Sequence, residues 1–141
     1  MLDNHRTFFL KRLNDHLVYM KRVKRMLEGK EHFLGTDYHF CALGKWMYGI
    51  GLTEVQAFES EKLEQLFKSL FEPHQHFHEA SRRAIEMFQA HDAAAARAAE
   101  TEMIRLSGRL VDIFLKMDGL VQTLAQPSYA IPLQEMQLTP A

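Results

Sequence analysis

Apolar residues recur at alternating steps of four and three along most of the chain, and this spacing constrains the fold more than any other feature. Such steps place apolar side chains on one face of a helix, as at the seam between helices of a bundle. No segment shows the alternation with a period of two that is typical of a half-buried strand. The sequence therefore predicts an all-α protein. The two most regular seams are Phe9, Leu13, His16, Met20, Val23 and Leu27, and Ala99, Met103, Leu106, Leu110, Ile113, Met117, Leu120 and Leu124.

Helix start and stop signals divide the chain into four long helices, with one short helix after the first. The third helix is expected to carry its apolar residues from Val55 to Leu70. We therefore expect an antiparallel four-helix bundle with an additional short helix that carries the cysteine motif. Gly29 is expected to end the first helix. The expected signals for helix starts are an N-cap at Thr36 or Asp37, a capping box at Thr53-Glu54-Val55-Gln56, a first-turn proline at Pro73 and an N-cap at Asp92.

The composition changes near the end of the chain. Residues 1–124 carry all the helical seams and are expected to form one domain. Residues 125–141 contain three prolines and no positive charge. We expect them to form an extended or disordered C-terminal tail.

Charge and hydropathy exclude several kinds of partner. The chain has 17 basic and 18 acidic residues and a net charge of −1, so no nucleic-acid partner is expected. The longest uncharged run, from Gly119 to Gln134, contains two prolines and several polar residues, so no membrane span is expected. The N-terminal residues do not have the pattern of a signal peptide. The missing signal-peptide pattern and the single cysteine together indicate a cytoplasmic protein.

The single cysteine, Cys41, cannot form an internal disulfide. Such a residue is a small buried side chain, a reactive thiolate or a metal ligand. Three histidines stand at seam positions that face the expected core, His16 on the first long helix and His74 and His78 on a later one. Because residues four apart share one face of a helix, His74 and His78 can reach the same ion.

Spacing alone leaves two interpretations of these residues open. Single histidines at seams are commonly hydrogen-bonded core residues, and a pair four apart also arises by chance among eight histidines. Alternatively, one thiolate and three imidazoles bind one ion, for which zinc is preferred over iron and copper. Helix geometry excludes His39 as a partner of Cys41 and His76 as a partner of His74, since residues two apart point to different sides.

Three motifs in order make the chain resemble the chemoreceptor zinc-binding domain family of bacterial cytoplasmic sensors. The family pattern has a histidine with an aromatic residue or leucine three positions later, a Cys-x-apolar-Gly-x-aromatic block and an HxxxH pair. Asp37, His39 and Tyr48 match residues that are usual around the cysteine block, and the similarity covers residues 5–124. The motifs here are His16-Leu17-Val18-Tyr19, Cys41-Ala42-Leu43-Gly44-Lys45-Trp46 and His74-Gln75-His76-Phe77-His78.

The resemblance implies a helical bundle, usually homodimeric, whose regulatory function depends on bound zinc. In the family, the domain is attached to chemoreceptor signalling modules or to diguanylate cyclases. It responds to zinc or to oxidants such as hypochlorous acid through the zinc-bound cysteine. At 141 residues the chain is too short to include either module, so we expect it to act in trans on a chemotaxis or cyclic-di-GMP signalling partner and not as an enzyme. The implied Zn²⁺ ligands are His16, Cys41, His74 and His78.

Residues around the cysteine are candidates for passing on a change at the site. We expect Asp37 to cap the short helix or to hydrogen-bond a ligand histidine. Trp46 and Tyr48 would transmit or report movement of that helix, with simple core packing as the alternative for Trp46. Three phenylalanines are expected to form surplus apolar surface that favours a homodimer, namely Phe8, Phe33 and Phe71.

Two other classes of function remain as alternatives. A zinc-dependent hydrolase would keep a coordination position open for water, but no carboxylate stands in a histidine-containing seam to act as a general base. The other alternative is a metal- or haem-binding helical bundle. A di-iron carboxylate bundle would need inward-facing Glu-x-x-His pairs, which these seams do not carry. Bound zinc supports the sensor or the hydrolase, bound iron supports the third class, and activity on ester or phosphoester substrates supports the hydrolase.

Overall fold

Six helices and their connecting loops form the described part of the chain. The computed structural model describes residues 2–125, with the side chains of residues 9–124. No residue in that range lies in a β-strand, so the expected all-α helical bundle is confirmed. The helices are α1 (Leu2–Leu27), α2 (Ala42–Met47), α3 (Gly51–Gln56), α4 (Glu61–Lys68), α5 (Phe71–Gln89) and α6 (Ala93–Ala125).

The three long helices α1, α5 and α6 form the body of the bundle. Only residues 90–92 connect α5 with α6, so these two helices pack against each other in antiparallel directions. Helix α1 packs against both, and α4 packs against α6. The short helices α3 and α4 together occupy the place expected for one long helix. The largest fully buried side chains are Phe9, Phe67, Phe77, Phe114, Leu43, Leu63, Leu70, Ile85, Met103, Leu106, Leu110 and Met117.

One helix end and two helix starts are formed by the residues predicted for them. Gly29, just after α1, has a φ of 75°, the left-handed conformation of a helix-ending glycine. Pro73 lies in the first turn of α5, where its missing N–H leaves no helical hydrogen bond unmade. Oδ1 of Asp92 accepts a hydrogen bond from Ala95 N at 3.1 Å and caps α6.

The expected third long helix is interrupted. Residues 57–60 separate α3 from α4. Glu59 in this connection has a φ of 54°, which a continuous helix does not allow. Oγ of Ser60 accepts a hydrogen bond from Leu63 N at 3.1 Å, so Ser60 starts a new helix as its N-cap.

Two predicted helix starts are wrong. Helix α3 begins at Gly51 without a side-chain cap, two residues before the expected capping box at Thr53. Helix α2 is capped by Cys41, and not by Thr36 or Asp37. The chain therefore enters α2 later than expected, after a turn that follows Asp37.

Two phenylalanines that were expected on the surface are packed within the protein. Phe33 is 8% exposed and meets Tyr19 edge to face, with 5.3 Å between ring centroids. Phe71 is partly buried and packs on Phe67 at 5.3 Å. The expectation of surplus surface for a dimer is therefore wrong for Phe33, and for the partly buried Phe71 it stays a prediction.

Some predictions concern residues near the ends of helices or outside the described part of the chain. Phe88 and Leu124, expected in seams, are each 36% exposed near the ends of α5 and α6. The side chain of Phe8 and the tail beyond residue 125 lie outside the described residues, so the domain limit at residues 124 and 125 stays a prediction. Within residues 2–125, no helix has both the length and the apolar character needed to cross a bilayer.

Candidate metal centre

Three buried side chains from two elements form a cluster of metal-binding groups. Cys41 immediately precedes α2, whereas His74 and His78 lie one turn apart on α5. Their potential ligand atoms all lie within 4.8 Å of one another. The exposed fractions of Cys41, His74 and His78 are only 7%, 0% and 3%. The first turns of α5 and the start of α2 therefore meet at one point in the core.

The geometry of this cluster fits a zinc ion. Sγ of Cys41 lies 3.4 Å from Nε2 of His74. On one tetrahedral zinc, with Zn–S and Zn–N bonds of about 2.3 and 2.0 Å, a sulfur and a nitrogen ligand stand about 3.5 Å apart. Nδ1 of His74 is buried and has no hydrogen-bond partner within the described part of the chain. If Nε2 binds the ion, Nδ1 of His74 stays without a partner among the described residues.

The backbone of Thr36 fixes the orientation of His78. Nδ1 of His78 lies 2.8 Å from Thr36 O, and because a carbonyl only accepts, Nδ1 must carry a proton. In the neutral ring, Nε2 then keeps its lone pair for a metal ion. Tyr19 in turn holds the backbone of Thr36, because its hydroxyl accepts a hydrogen bond from Thr36 N at 2.7 Å and donates one to Thr36 O at 3.2 Å. The loop before α2 thus positions one candidate ligand and ends at another.

Burial keeps the nearby histidines uncharged. Loss of hydration, and secondarily the neighbouring His78, lowers the pKa of His74 to about 3. Loss of hydration likewise lowers the pKa values of His16 and His78 to about 4. Neutral imidazoles are the form that binds metal ions. Burial also raises the pKa of the Cys41 thiol, so metal binding at neutral pH displaces a proton from sulfur.

His16, the remaining predicted ligand, lies outside the group of three. Its side chain is buried, and its ring packs edge to face against Phe77 of α5 at 4.6 Å. Nε2 of His16 forms a hydrogen bond of 2.9 Å with Oγ of Ser107 on α6. The structure therefore brings together three of the four predicted ligands, with the fourth close enough to interact electrostatically with His78. The complete four-residue ligand set stays a prediction.

The sulfur of Cys41 is also the N-cap of α2. It accepts a hydrogen bond from Gly44 N at 3.2 Å, in the place where a serine or aspartate oxygen is usual. Gly44 is required here because a Cβ at this position would collide with the carbonyl group of Tyr38. The turn before α2, the helix start and the sulfur are therefore positioned together.

Trp46 and Tyr48, the residues expected to report movement of α2, have different surroundings. Trp46 is 3% exposed and packs edge to face against Phe9 and Phe67. Its Nε1 donates to Oε1 of Glu54 at 2.7 Å. These contacts join α2 to α1, α3 and α4. Tyr48, at the end of α2, is 43% exposed.

Thr36 and Ser107 contact the candidate ligand histidines, and the sequence reasoning missed both of them. Asp37 was expected to cap the short helix or to hydrogen-bond a ligand histidine, but its Oδ2 instead accepts hydrogen bonds from His39 N at 2.9 Å and from His39 Nδ1 at 2.7 Å. The partner of His78 is instead a backbone carbonyl, that of Thr36, which leaves no signal in a side chain. Ser107 could have been found, because a small polar residue stands one turn after the seam residue Met103.

One comparison with known proteins gives a match. Residues 16–85 match the family model described as "Chemoreceptor zinc-binding domain". The matched segment begins at His16 and includes the cysteine block and both clustered histidines of α5. Comparisons with curated proteins and with solved structures give no match.

We expect Gly44→Ala to weaken metal binding and to destabilise the protein. The added methyl group must displace either the carbonyl of Tyr38 or the start of α2, and such overpacking typically costs about 1–3 kcal/mol. Urea unfolding and zinc competition with a chromophoric chelator measure the two effects. Gly119→Ala in α6 is the matched control, since a Cβ there meets nothing within 4 Å. Wild-type affinity and stability in Gly44→Ala would contradict the coupling of sulfur and turn.

We expect the metal-free protein to lose stability as the pH falls from about 6.5 towards 4. The three buried histidines have folded-state pKa values of about 3 to 4, below the unfolded value of about 6.5. Within this window the unfolded chain binds protons that the folded chain does not, so acid favours unfolding, whereas above it their contribution is complete. Each histidine should account for about 1.4 kcal/mol per pH unit.

Thermal unfolding of chelator-treated protein at pH 7.5 and 5.5 measures this loss. His74→Gln should reduce the pH dependence because it removes one buried titrating group. His76→Gln, at an exposed position on the same helix, should leave it unchanged. Equal pH dependence in wild type and His74→Gln would show that the folded protein does not hold His74 neutral.

Proposed function

The chain belongs to the chemoreceptor zinc-binding domain family, and from this we propose that it is a regulatory domain controlled by one bound Zn²⁺. The observation that carries the proposal is the buried group of one thiol and two imidazoles inside the matched segment. Thiolate and imidazole groups together favour zinc over ions that prefer oxygen ligands. The proposed ligands are Cys41, His74, His78 and His16.

A shell of four protein ligands supports a regulatory site over a catalytic one. Catalytic zinc sites keep one position for water, whereas structural sites are closed by four side chains. His16 supports a closed shell because it is buried beside the cluster and uncharged at neutral pH. We therefore propose no enzymatic activity for this domain.

Cys41 is the proposed redox-sensitive residue. Bound zinc would keep its sulfur as a thiolate at neutral pH. Hypochlorous acid oxidises a thiolate sulfur by two electrons to a sulfenic acid and is itself reduced to chloride. The chain has one cysteine, so the sulfenic acid must be reduced by an external thiol or by Cys41 of another subunit.

Oxidation at this sulfur would act first on α2. This helix has only six residues, and the sulfur is its N-cap as well as a candidate ligand. Loss of both contacts removes the anchor at the start of α2, while the seams between α1, α5 and α6 keep the bundle folded. Trp46 and Tyr48 are the side chains of this segment that would pass the movement on.

We also propose which signal the domain senses and on which partner it acts. Zinc availability and oxidants are both signals to which the site could respond through Cys41. The domain would act in trans on a chemotaxis protein or a diguanylate cyclase in the cytoplasm. The description of the matched family names chemoreceptors, which supports a partner in chemotaxis.

A zinc hydrolase is the second candidate, and one observation favours it. His16 lies outside the group of three, which leaves a coordination position that water could fill. Against it, the cluster includes no carboxylate that could act as a general base, and Asp37 is bound to His39. The lack of carboxylates in the cluster also disfavours a di-iron bundle.

Purified protein should contain one zinc per chain. Alanine at Cys41, His74 or His78 should remove most of it, because each change takes away one of the converging ligands. Elemental analysis measures the zinc content. His39→Ala and His76→Ala, at exposed positions close to the cluster in sequence, are the controls. Full zinc content in all three cluster variants would contradict the site.

The same preparation, titrated with hypochlorous acid, should release zinc and change Trp46 fluorescence before its helix content falls. Trp46 is the only tryptophan and is buried next to α3, so its emission follows α2. Met47→Leu removes the adjacent oxidisable methionine and should leave the response intact. If zinc stays bound until far-ultraviolet circular dichroism collapses, Cys41 is a structural ligand only.

We also propose a homodimer, supported by exposed apolar side chains on two long helices. Leu10, Leu17 and Val18 of α1 are 43%, 43% and 51% exposed, and Ile104 and Leu115 of α6 are 43% and 53% exposed. Leu10 and Leu17 are two turns apart and share one face. Leu17→Asp should therefore weaken the dimer. Light scattering that gives 16.4 kDa for the wild type at micromolar concentration would contradict it.

A further inference from the structure

A buried hydrogen bond between α1 and α6 holds the imidazole of His16. Nε2 of His16 lies 2.9 Å from Oγ of Ser107, and the two side chains are 2% and 4% exposed. Thr101 and Thr123 of the same helix turn their hydroxyls back onto carbonyls one turn earlier. Ser107 instead directs its Oγ across the bundle to His16. Ser107 also lies outside the matched segment of residues 16–85.

We propose that Ser107 is a positioning residue of the metal centre, which holds Nε2 of His16 so that Nδ1 is the nitrogen offered to the metal ion. This inference rests on the proposed function, in which His16 is the fourth ligand. A histidine that binds a metal usually has its other ring nitrogen hydrogen-bonded to a nearby group. His78 has this arrangement in the opposite sense, with Nδ1 bound to Thr36 O and Nε2 left for the metal.

The packing of His16 favours binding through Nδ1. To offer Nε2, the ring must turn away from Ser107 and leave a buried hydroxyl without its partner. Such a turn would also change its edge-to-face contact with Phe77, which is 0% exposed in the core. Binding through Nδ1 keeps the hydrogen bond to Ser107.

The affinity test compares Ser107→Ala with Ser107→Thr and with wild type by zinc competition. We expect Ser107→Ala to bind zinc about 10- to 100-fold more weakly, because His16 loses its outer partner. Ser107→Thr keeps the hydroxyl and should recover most of the affinity. Thr101→Ala removes a hydroxyl on the exposed side of α6 and should have no effect. Equal or tighter binding by Ser107→Ala overturns the inference.

Nitrogen NMR of zinc-loaded wild type with ¹⁵N-labelled histidine gives a readout that does not depend on the folding of any variant. We expect the His16 ring to show a metal-bound Nδ1 and a protonated Nε2. A metal-bound Nε2 overturns the inference even if Ser107→Ala is unstable. The two proposals fail differently: zinc retention in the Cys41, His74 and His78 variants refutes the zinc site itself. Zinc loss in those variants, with wild-type affinity in Ser107→Ala, refutes only the function of Ser107.

Discussion

The burial of uncharged polar groups at one level of the bundle is the constraint on which the rest of the structure depends. Hydrogen bonds offset the lost hydration of most of these groups: His16 bonds to Ser107, Ser81 bonds to the carbonyl of His78, and His78 bonds to a loop carbonyl. Since two of these pairs join separate elements, the same contacts hold the elements in register and position the candidate ligands. The buried polar side chains of the described core are His16, His74, His78, Ser81 and Ser107.

The loop between α1 and α2 carries more of the site than its lack of secondary structure would indicate. Tyr19 of α1 binds both the N–H and the carbonyl of Thr36, and that carbonyl holds His78. Gly35 has a φ of 88°, and a Cβ there would press against the Tyr19 hydroxyl at 3.2 Å. The aromatic residue three positions after His16 therefore acts through the backbone of a distant loop. The loop then ends at Cys41, so it contributes to the placement of two candidate ligands.

Much of the fold was predictable from the sequence because apolar burial and helix geometry act locally. The seams of α1 and α6 and the pair of histidines one turn apart follow from the helical period alone. The break before Ser60 was missed because apolar residues continue on both sides, whereas one serine cap decides where α4 starts. The sulfur cap of α2 was missed because caps are usually oxygens. The pairing of His16 with Ser107 depends on how α1 and α6 pack, which no single-helix pattern encodes.

The depth of the cluster has a kinetic consequence. The candidate ligands are at most 7% exposed, so an ion bound by them would need part of the fold to open before it could leave. Cys41 directly precedes α2, and a helix of six residues has little stability of its own, so local opening of this segment would expose the cluster. Exchange of a bound ion would then include an opening step whose rate an external chelator does not change. Ligand chemistry would set the equilibrium, whereas local opening would limit the rate of exchange.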